Sequence, residues 1–132
     1  MTLRLPPAPE EVATLLDAVE AFAETAELSP RLAMRLALIA EELAANVAMH
    51  GKGATYLSFT ARATEAGVAI AFEDDGPEFD PLAAPAPQTQ AGLDSREVGG
   101  LGLHLVREMT REAAWRRAEG RNLLTCLLPA AA

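Results

Sequence analysis

A carboxylate and an amide stand four residues apart in a segment rich in helix-forming residues. Four helical steps bring the side chains of Glu42 and Asn46 to within about 40° of each other around a helix axis. Glu41 lies about 140° from Asn46 on the same basis and is expected in solvent. A carboxylate and an amide oxygen so placed could position a hydrated Mg²⁺ and accept a proton from a hydroxyl or a water. Taken alone, the pair is more typical of an exposed polar contact, worth about a few tenths of a kcal/mol.

Two further features could complete a phosphate or nucleotide site. Asp74 follows a strand pattern over residues 68–73 and falls on its apolar, inward side. Its carboxylate either caps the following turn or accepts a hydrogen bond from a ligand. The run Gly99-Gly100-Leu101-Gly102 precedes a helical stripe that starts at Leu103. Backbone amides of a glycine turn at a helix N-terminus form an anion site, although such turns also serve ordinary packing.

Hydrophobic periodicity predicts the elements that must position these residues. A first helix begins near Pro9, and Ser29-Pro30 supplies the N-cap and first-turn proline of a second helix, which carries Glu42 and Asn46. Gly51-Lys52-Gly53 ends that second helix. Alternating patterns predict strands at residues 2–5, 54–63 and 68–73, and a closing hairpin of residues 113–118 and 123–128 around a turn at 119–122.

The segment of residues 82–98 has no hydrophobic periodicity and contains three prolines or glycines. A structureless run of this length is uncommon inside a compact domain unless it is a lid, a binding loop or disordered. We interpret residues 82–98 as a lid between the strand that ends at Asp74 and the glycine run.

Length and charge restrict the class of protein. A chain of 132 residues is expected to form one domain, residues 1–132. Eleven basic against nineteen acidic residues give a net charge of −8, which disfavours direct binding to nucleic acid or to an anionic membrane. No apolar run is long enough to span a bilayer and no signal-peptide pattern opens the chain, so we predict a cytoplasmic protein. The single cysteine, Cys126, is expected to be a core residue.

The order of these motifs resembles that of the GHKL family of ATP-binding domains, shared by gyrase-type ATPases and histidine-kinase catalytic domains. Glu42-x-x-x-Asn46 with His50-Gly51 is similar to the N-box of that family. The segment 74–81 is similar to its adenine-side motif, and 99–106 to the glycine motif that ends its lid. Within the family, the chain most resembles the stand-alone serine/threonine kinases of the anti-sigma-factor type. The resemblance implies an α/β two-layer sandwich, the Bergerat fold, with a mixed, mainly antiparallel sheet and three helices on one face.

The resemblance also implies a role for each matching residue. Glu42 would be the general base toward a serine or threonine hydroxyl, and Asn46 would hold the Mg²⁺ that bridges the phosphates of ATP. Asp74 would accept a hydrogen bond from the exocyclic amine of adenine, where guanine carries an oxygen, and Gly76 would let the backbone approach the base. Arg96, the one cation of the lid, would contact the terminal phosphates. The resemblance implies nucleotide contacts along the glycine motif, at Gly99, Gly100, Leu101, Gly102 and Leu103. The second and third glycines of the motif would cradle a phosphate.

The resemblance favours an ATP- and Mg²⁺-dependent serine/threonine protein kinase. It would phosphorylate an anti-sigma-factor antagonist, sequester a sigma factor and form a homodimer. One alternative is a nucleotide-loaded binding module that sequesters a regulator without transferring phosphate. Another is a detached histidine-kinase catalytic domain, but no helix pair with a phospho-acceptor histidine precedes residue 9, so a separate chain would have to supply one.

Nucleotide binding is predicted to depend strongly on Mg²⁺. Residues 74–98 contain one cation against six acids, namely Asp74, Asp75, Glu78, Asp80, Asp94 and Glu97. Such a segment should repel free ATP⁴⁻, so calorimetric titration in excess chelator should give an affinity at least about tenfold lower than titration with Mg²⁺. Equal affinity in both conditions would exclude the metal-binding role of Asn46.

Overall fold

Five strands form one sheet in the computed structural model, which describes residues 1–83 and 97–130 and, for residues 97–102, the backbone alone. The strands are β1 (Thr2–Leu5), β2 (Leu57–Thr64), β3 (Gly67–Asp74), β4 (Arg111–Ala118) and β5 (Arg121–Pro129). Their order is β1-β2-β3-β5-β4, and each of the four pairings is antiparallel. The described sheet is therefore antiparallel throughout and not mixed. Tight hairpins join β2 to β3 and β4 to β5, which makes those two pairings antiparallel.

Helices cover one face of this sheet. They are α1 (Val12–Thr25), which follows a short 3₁₀ helix at Pro9–Glu11, α2 (Pro30–His50) and α3 (Glu97–Met109). The predicted start near Pro9 and the predicted two-layer α/β sandwich are confirmed. Within the described ranges, no helix combines the length and apolar character needed to cross a membrane.

Both ends of α2 follow from local sequence. Ser29 Oγ accepts a hydrogen bond from Leu32 N at 3.2 Å, and Pro30 occupies the first turn, where its missing N–H is not needed. The helix ends at Gly51, where an added Cβ would lie 2.6 Å from Val47 O. A side chain does not fit there without movement of the backbone, so α2 stops at the predicted glycine.

The core lies between the helices and the inward face of the sheet. The buried strand residues alternate, as a period of two predicts, at Leu57, Phe59, Ala61, Val68, Ile70, Phe72, Leu124, Cys126 and Leu128. They pack against the apolar stripes of α1 and α2 and against Leu103 and Val106 of α3. Burial raises the pKa of the Cys126 thiol to about 11, which confirms it as an unreactive core residue.

The glycine motif lies inside α3 and not in a turn before it. The predicted helical stripe starts at Leu103, whereas α3 begins at Glu97. Each glycine costs about 1 kcal/mol relative to alanine inside a helix, and burial of the Leu103 side chain helps to offset that cost. With Glu97 as the first helical residue, the N–H group of Gly99 belongs to the first four of the helix, which lack a partner within it, and Gly100 lies just beyond them. Gly102 lies beyond those four.

The two ends of the predicted lid belong to regular structure. Pro81–Ala83 form a 3₁₀ helix, and Leu82 O accepts a hydrogen bond from Arg107 Nη1 at 2.8 Å. Residues 97 and 98 are the first of α3. Residues 84–96, which include Arg96, lie outside the described residues.

The β4–β5 hairpin is tighter than the predicted turn at residues 119–122. Glu119 and Gly120 have positive φ values of 52° and 75°, which match a two-residue hairpin turn. Arg121 and Asn122 are the first residues of β5, and Asn122 pairs with Asp74 across the β3–β5 ladder. Because paired residues share a face of the sheet, Asn122 lies on the helix side beside Asp74.

Candidate functional site

Two adjoining cavities lie where the C-terminal half of α2 meets the end of β3. The wider cavity has a volume of about 140 Å³ and opens beside His50 and Glu78. The narrower one, about 20 Å³, extends to Trp115. Five residues line both cavities, namely Asn46, Val47, Asp74, Phe79 and Asn122. Larger depressions lie elsewhere on the protein. These two cavities are the ones that the predicted residues Asn46 and Asp74 both line.

Asp74 is buried at the end of β3, with 7% of its surface exposed. Its Oδ1 accepts hydrogen bonds from Gly76 N at 2.8 Å and from Asn122 Nδ2 at 3.1 Å. No group in the described ranges donates to Oδ2. A buried carboxylate needs such partners, because desolvation without hydrogen bonds is costly. Asp74 therefore caps its turn with one oxygen and can offer the other to a ligand.

Asn122 is a site residue that the sequence analysis missed. Besides its bond to Asp74, Nδ2 donates to Pro77 O at 2.8 Å, and Oδ1 accepts from Phe79 N at 3.1 Å. One buried amide thus joins β5 to Asp74 and to the chain that follows it. Asn122 falls in phase with the apolar, inward residues Leu124, Cys126 and Leu128, which was the available signal, but its partner depends on strand register.

Gly76 packs closely behind the Asp74 carboxylate. A Cβ at this position would lie 3.0 Å from Asp74 Oδ1 and 3.3 Å from Ala54 Cβ. Arg117 Nη1 donates to Gly76 O at 2.7 Å, so β4 also holds this turn. The side chain that glycine lacks would press on the acceptor itself, which explains why the motif has glycine here. Gly76 is not among the residues that line the cavities.

Asp75 fastens the same turn to the loop that follows α2. Its Oδ1 accepts from Thr55 N at 2.7 Å and Tyr56 N at 3.2 Å, and the Thr55 hydroxyl donates to Oδ2. The hydroxyl contact, together with the backbone N–H groups, holds the pKa of Asp75 below its usual value. The two adjacent aspartates therefore face different partners, and Asp75 is a structural residue.

Glu42 and Asn46 lie one turn apart on α2, as predicted. Asn46 lines both cavities, whereas Glu42 is half-buried and is not among the residues that line them. Burial raises the pKa of the Glu42 carboxyl above its ordinary value of 4.5, and the charge of Glu41 adds to this shift. A carboxylate with a raised pKa is a stronger base, which suits a proton acceptor.

The donor atoms at this end of α2 fit Mg²⁺. Amide and carboxylate oxygens are the hard ligands that this ion prefers, and Mg²⁺ commonly completes its coordination with water and nucleotide phosphates. The described part of the chain has no cluster of three acidic, histidine or cysteine residues that could hold a metal by itself. Asn46 would therefore supply the protein ligand, with Glu42 one turn away.

Trp115 adds a donor that was also not predicted. Its Nε1 is buried and has no hydrogen-bond partner in the described residues, and its side chain lines the narrower cavity. The indole N–H can only donate, and leaving it unpaired costs about 1–3 kcal/mol. Trp115 also lines a depression on the other face of the sheet, so its unpaired N–H is a buried donor close to the cavity.

The remaining predicted residues are placed only in part. The Leu103 side chain is buried in the core, with 4% of its surface exposed, where it supports the fold; its predicted nucleotide contact stays a prediction. The backbone of Gly99, Gly100, Leu101 and Gly102 forms the start of α3. The structure brings Asn46 and Asp74 together and leaves the roles of the glycine motif and Arg96 as predictions.

Comparison with known families identifies the class of domain to which this fold belongs. The sequence model of the histidine kinase-like ATPase domain matches residues 5–127, and the chain belongs to this family. The serine/threonine-protein kinase BtrW of Bordetella bronchiseptica is 34% identical over 101 residues, which cover 74% of this chain and 70% of that protein. Both findings confirm the family resemblance that the three motifs predicted.

The Asn122–Asp74 contact can be tested by exchanging the amide for a carboxylate. Asn122→Asp would place two carboxylates where a 3.1 Å hydrogen bond now joins the side chains. We expect a loss of about 2–3 kcal/mol in the free energy of unfolding at pH 7, measured by urea denaturation. Mutual repulsion would raise a pKa of the new pair in the folded state, so part of the loss should be recovered as pH falls toward about 5.

Thr125→Asp is the matched control, because it adds the same charge at an exposed position of the same strand. It should change stability by less than about 0.5 kcal/mol. Similar losses in both variants, with no recovery at lower pH for Asn122→Asp, would contradict the assigned contact.

Proposed function

We propose that this protein is an ATP-dependent serine/threonine protein kinase and anti-sigma factor. It would phosphorylate an anti-sigma-factor antagonist and sequester a sigma factor. The observation that carries the proposal is the position of the buried Asp74. Asn122 and Gly76 donate hydrogen bonds to one of its oxygens, which leaves the other oxygen for a ligand. Asp74 and Asn46 line the same cavity. Membership of the histidine kinase-like ATPase family and similarity to a protein named a serine/threonine kinase support it.

Adenine fits the polar groups of the cavity. Its exocyclic amine donates, which complements the Asp74 carboxylate, whose Oδ2 has no donor in the described residues. Guanine carries an oxygen in place of the amine and would face the Asp74 carboxylate with an acceptor. Such a mismatch leaves a buried polar group unpaired and gives strong discrimination.

Phosphoryl transfer would be positioned from α2. Asn46 would hold a Mg²⁺ ion, which when bound would neutralise charge on the phosphates. Glu42 would accept the proton of the attacking serine or threonine hydroxyl, for which its raised pKa is suited. Arg96 and the free N–H groups at the start of α3 would contact the phosphates. The attack forms a bond from the hydroxyl oxygen to the γ-phosphorus, and ADP departs.

The proposed partners, a sigma factor and its antagonist, rest on the resemblance to the kinases of the anti-sigma-factor type. We propose that this protein acts on them in the cytoplasm, as a homodimer. A second candidate is a binding module that holds nucleotide and a regulator without transfer. It gains some support because Glu42 is not among the residues that line the cavities.

Glu42→Gln tests the transfer step directly. We expect transfer of labelled phosphate from ATP to candidate antagonist proteins to fall by about 10²–10⁴-fold, because the amide cannot accept the proton. ATP affinity should remain within about twofold of wild type, since Glu42 is outside the cavities. Unchanged transfer in this variant would exclude Glu42 as the base, and partner binding without transfer by the wild type would favour the binding module.

Glu41→Gln is the matched control for Glu42→Gln, because it makes the same change at the neighbouring residue. The same variant also tests how activity depends on pH. The neighbouring charge is one cause of the raised pKa of Glu42. A base must be deprotonated, so activity should rise with pH through the Glu42 pKa, above 4.5. Removing the charge of Glu41 should lower that pKa and move the rise in kcat/KM to lower pH, with near-normal activity at pH 7.

A further inference from the structure

A groove of about 500 Å³ lies between α1 and α2 on the outer surface of the helix layer. Alanines at facing positions of the two helices leave room for it, and larger apolar side chains stand around them. The apolar part of the lining consists of Leu16, Val19, Ala23, Leu28, Ala33, Met34 and Ala37. Met34 is 66% exposed, although a flexible thioether is better buried and is common at adaptable binding surfaces.

One rim of the groove is acidic. Asp17, Glu20 and Glu24 line it from α1, and each is exposed. These acids are three and four residues apart, and like charges at such spacings weaken a helix slightly. In the described parts of the chain, no basic group forms an ion pair with Asp17, Glu20 or Glu24. Residues 5–30 contain six acids and no lysine or arginine. The other wall, α2, carries Arg31 and Arg35, but neither lines the groove, so the negative charge is concentrated along the α1 rim.

The groove lies on the opposite side of α2 from the nucleotide cavities. Ala37 and Asn46 are nine residues apart, which is about 180° around a helix and about 13 Å along it. The groove and the two cavities have no lining residue in common. A ligand in the groove could therefore be held together with a nucleotide.

We propose that the α1–α2 groove is a docking site for a basic amphipathic helix of a partner protein. The apolar edge of such a helix would fill the space over the alanines, and its Lys or Arg residues would face the acidic rim. A second copy of this chain is a poor occupant, because a two-fold contact would bring acidic rim against acidic rim. The inference concerns a surface apart from the nucleotide site and does not depend on phosphoryl transfer.

The probe is a labelled synthetic peptide of about 18 residues, or five helical turns, with leucine and alanine on one face and lysine on the other. We expect fluorescence anisotropy to detect binding to the full chain at low salt and to weaken at high salt. The triple variant Asp17→Asn, Glu20→Gln, Glu24→Gln should reduce the affinity by about tenfold. Ala37→Phe, which fills the groove, should also abolish binding, while nucleotide affinity is unchanged in both variants.

The matched control removes three exposed acids elsewhere, through Glu65→Gln, Glu108→Gln and Glu119→Gln. It makes the same change in net charge and should retain the affinity of the wild type. Equal loss in the two triple variants would overturn the proposal, as would equal binding of a peptide with glutamate in place of lysine. A wild-type dimer in sedimentation analysis that Ala37→Phe dissociates would assign the groove to a second copy instead. Circular dichroism of each variant separates these outcomes from failure to fold.

Discussion

The hydrogen bond between the buried side chains of Asp74 and Asn122 is the constraint on which the site depends. A carboxylate at the inward end of β3 loses most of its hydration and needs donors to remain there. The β3–β5 register supplies Asn122, and the tight turn supplies Gly76 N. Because Asn122 also contacts Pro77 and Phe79, the same amide fixes the chain that forms one wall of the cavities. The pairing of Asn122 with Asp74 in the sheet therefore fixes both the acceptor carboxylate and one wall of the cavities.

The other wall comes from α2, whose two sides have different surroundings. One side presents Asn46 to the cavities, and Asp75 ties the loop after the helix to the Asp74 turn through Thr55. The buried stripe of α2 packs on the sheet, so the distance between Asn46 and Asp74 follows from core packing. The outer side forms the α1–α2 groove with α1. α2 therefore lies between the two cavities and the groove that we propose as a docking site.

The features that could be predicted from the sequence are those that a short stretch of residues encodes. The α2 start at Ser29 and Pro30, the alternation along β2 and β3, and the positions of Asn46 and Asp74 are each visible in short windows of residues. Asn122 and Trp115 were missed because their roles arise from register between strands, and Asn122 is 48 residues from Asp74 in the chain. The start of α3 was misplaced because tertiary packing can extend a helix through glycines that propensity alone disfavours.

The most direct test of the account is a titration that follows the fluorescence of Trp115, the single tryptophan of the chain. ATP and GTP would be added with Mg²⁺ to the wild type and to Asp74→Ala, after circular dichroism has shown that the variant is folded. The account predicts a saturable change with ATP, a much weaker response to GTP, and at least about a tenfold loss of ATP affinity in Asp74→Ala, since a hydrogen bond to a charged group is removed. Equal responses to ATP and GTP, or unchanged ATP affinity in Asp74→Ala, would contradict the assignment of Asp74 as the residue that recognises the base.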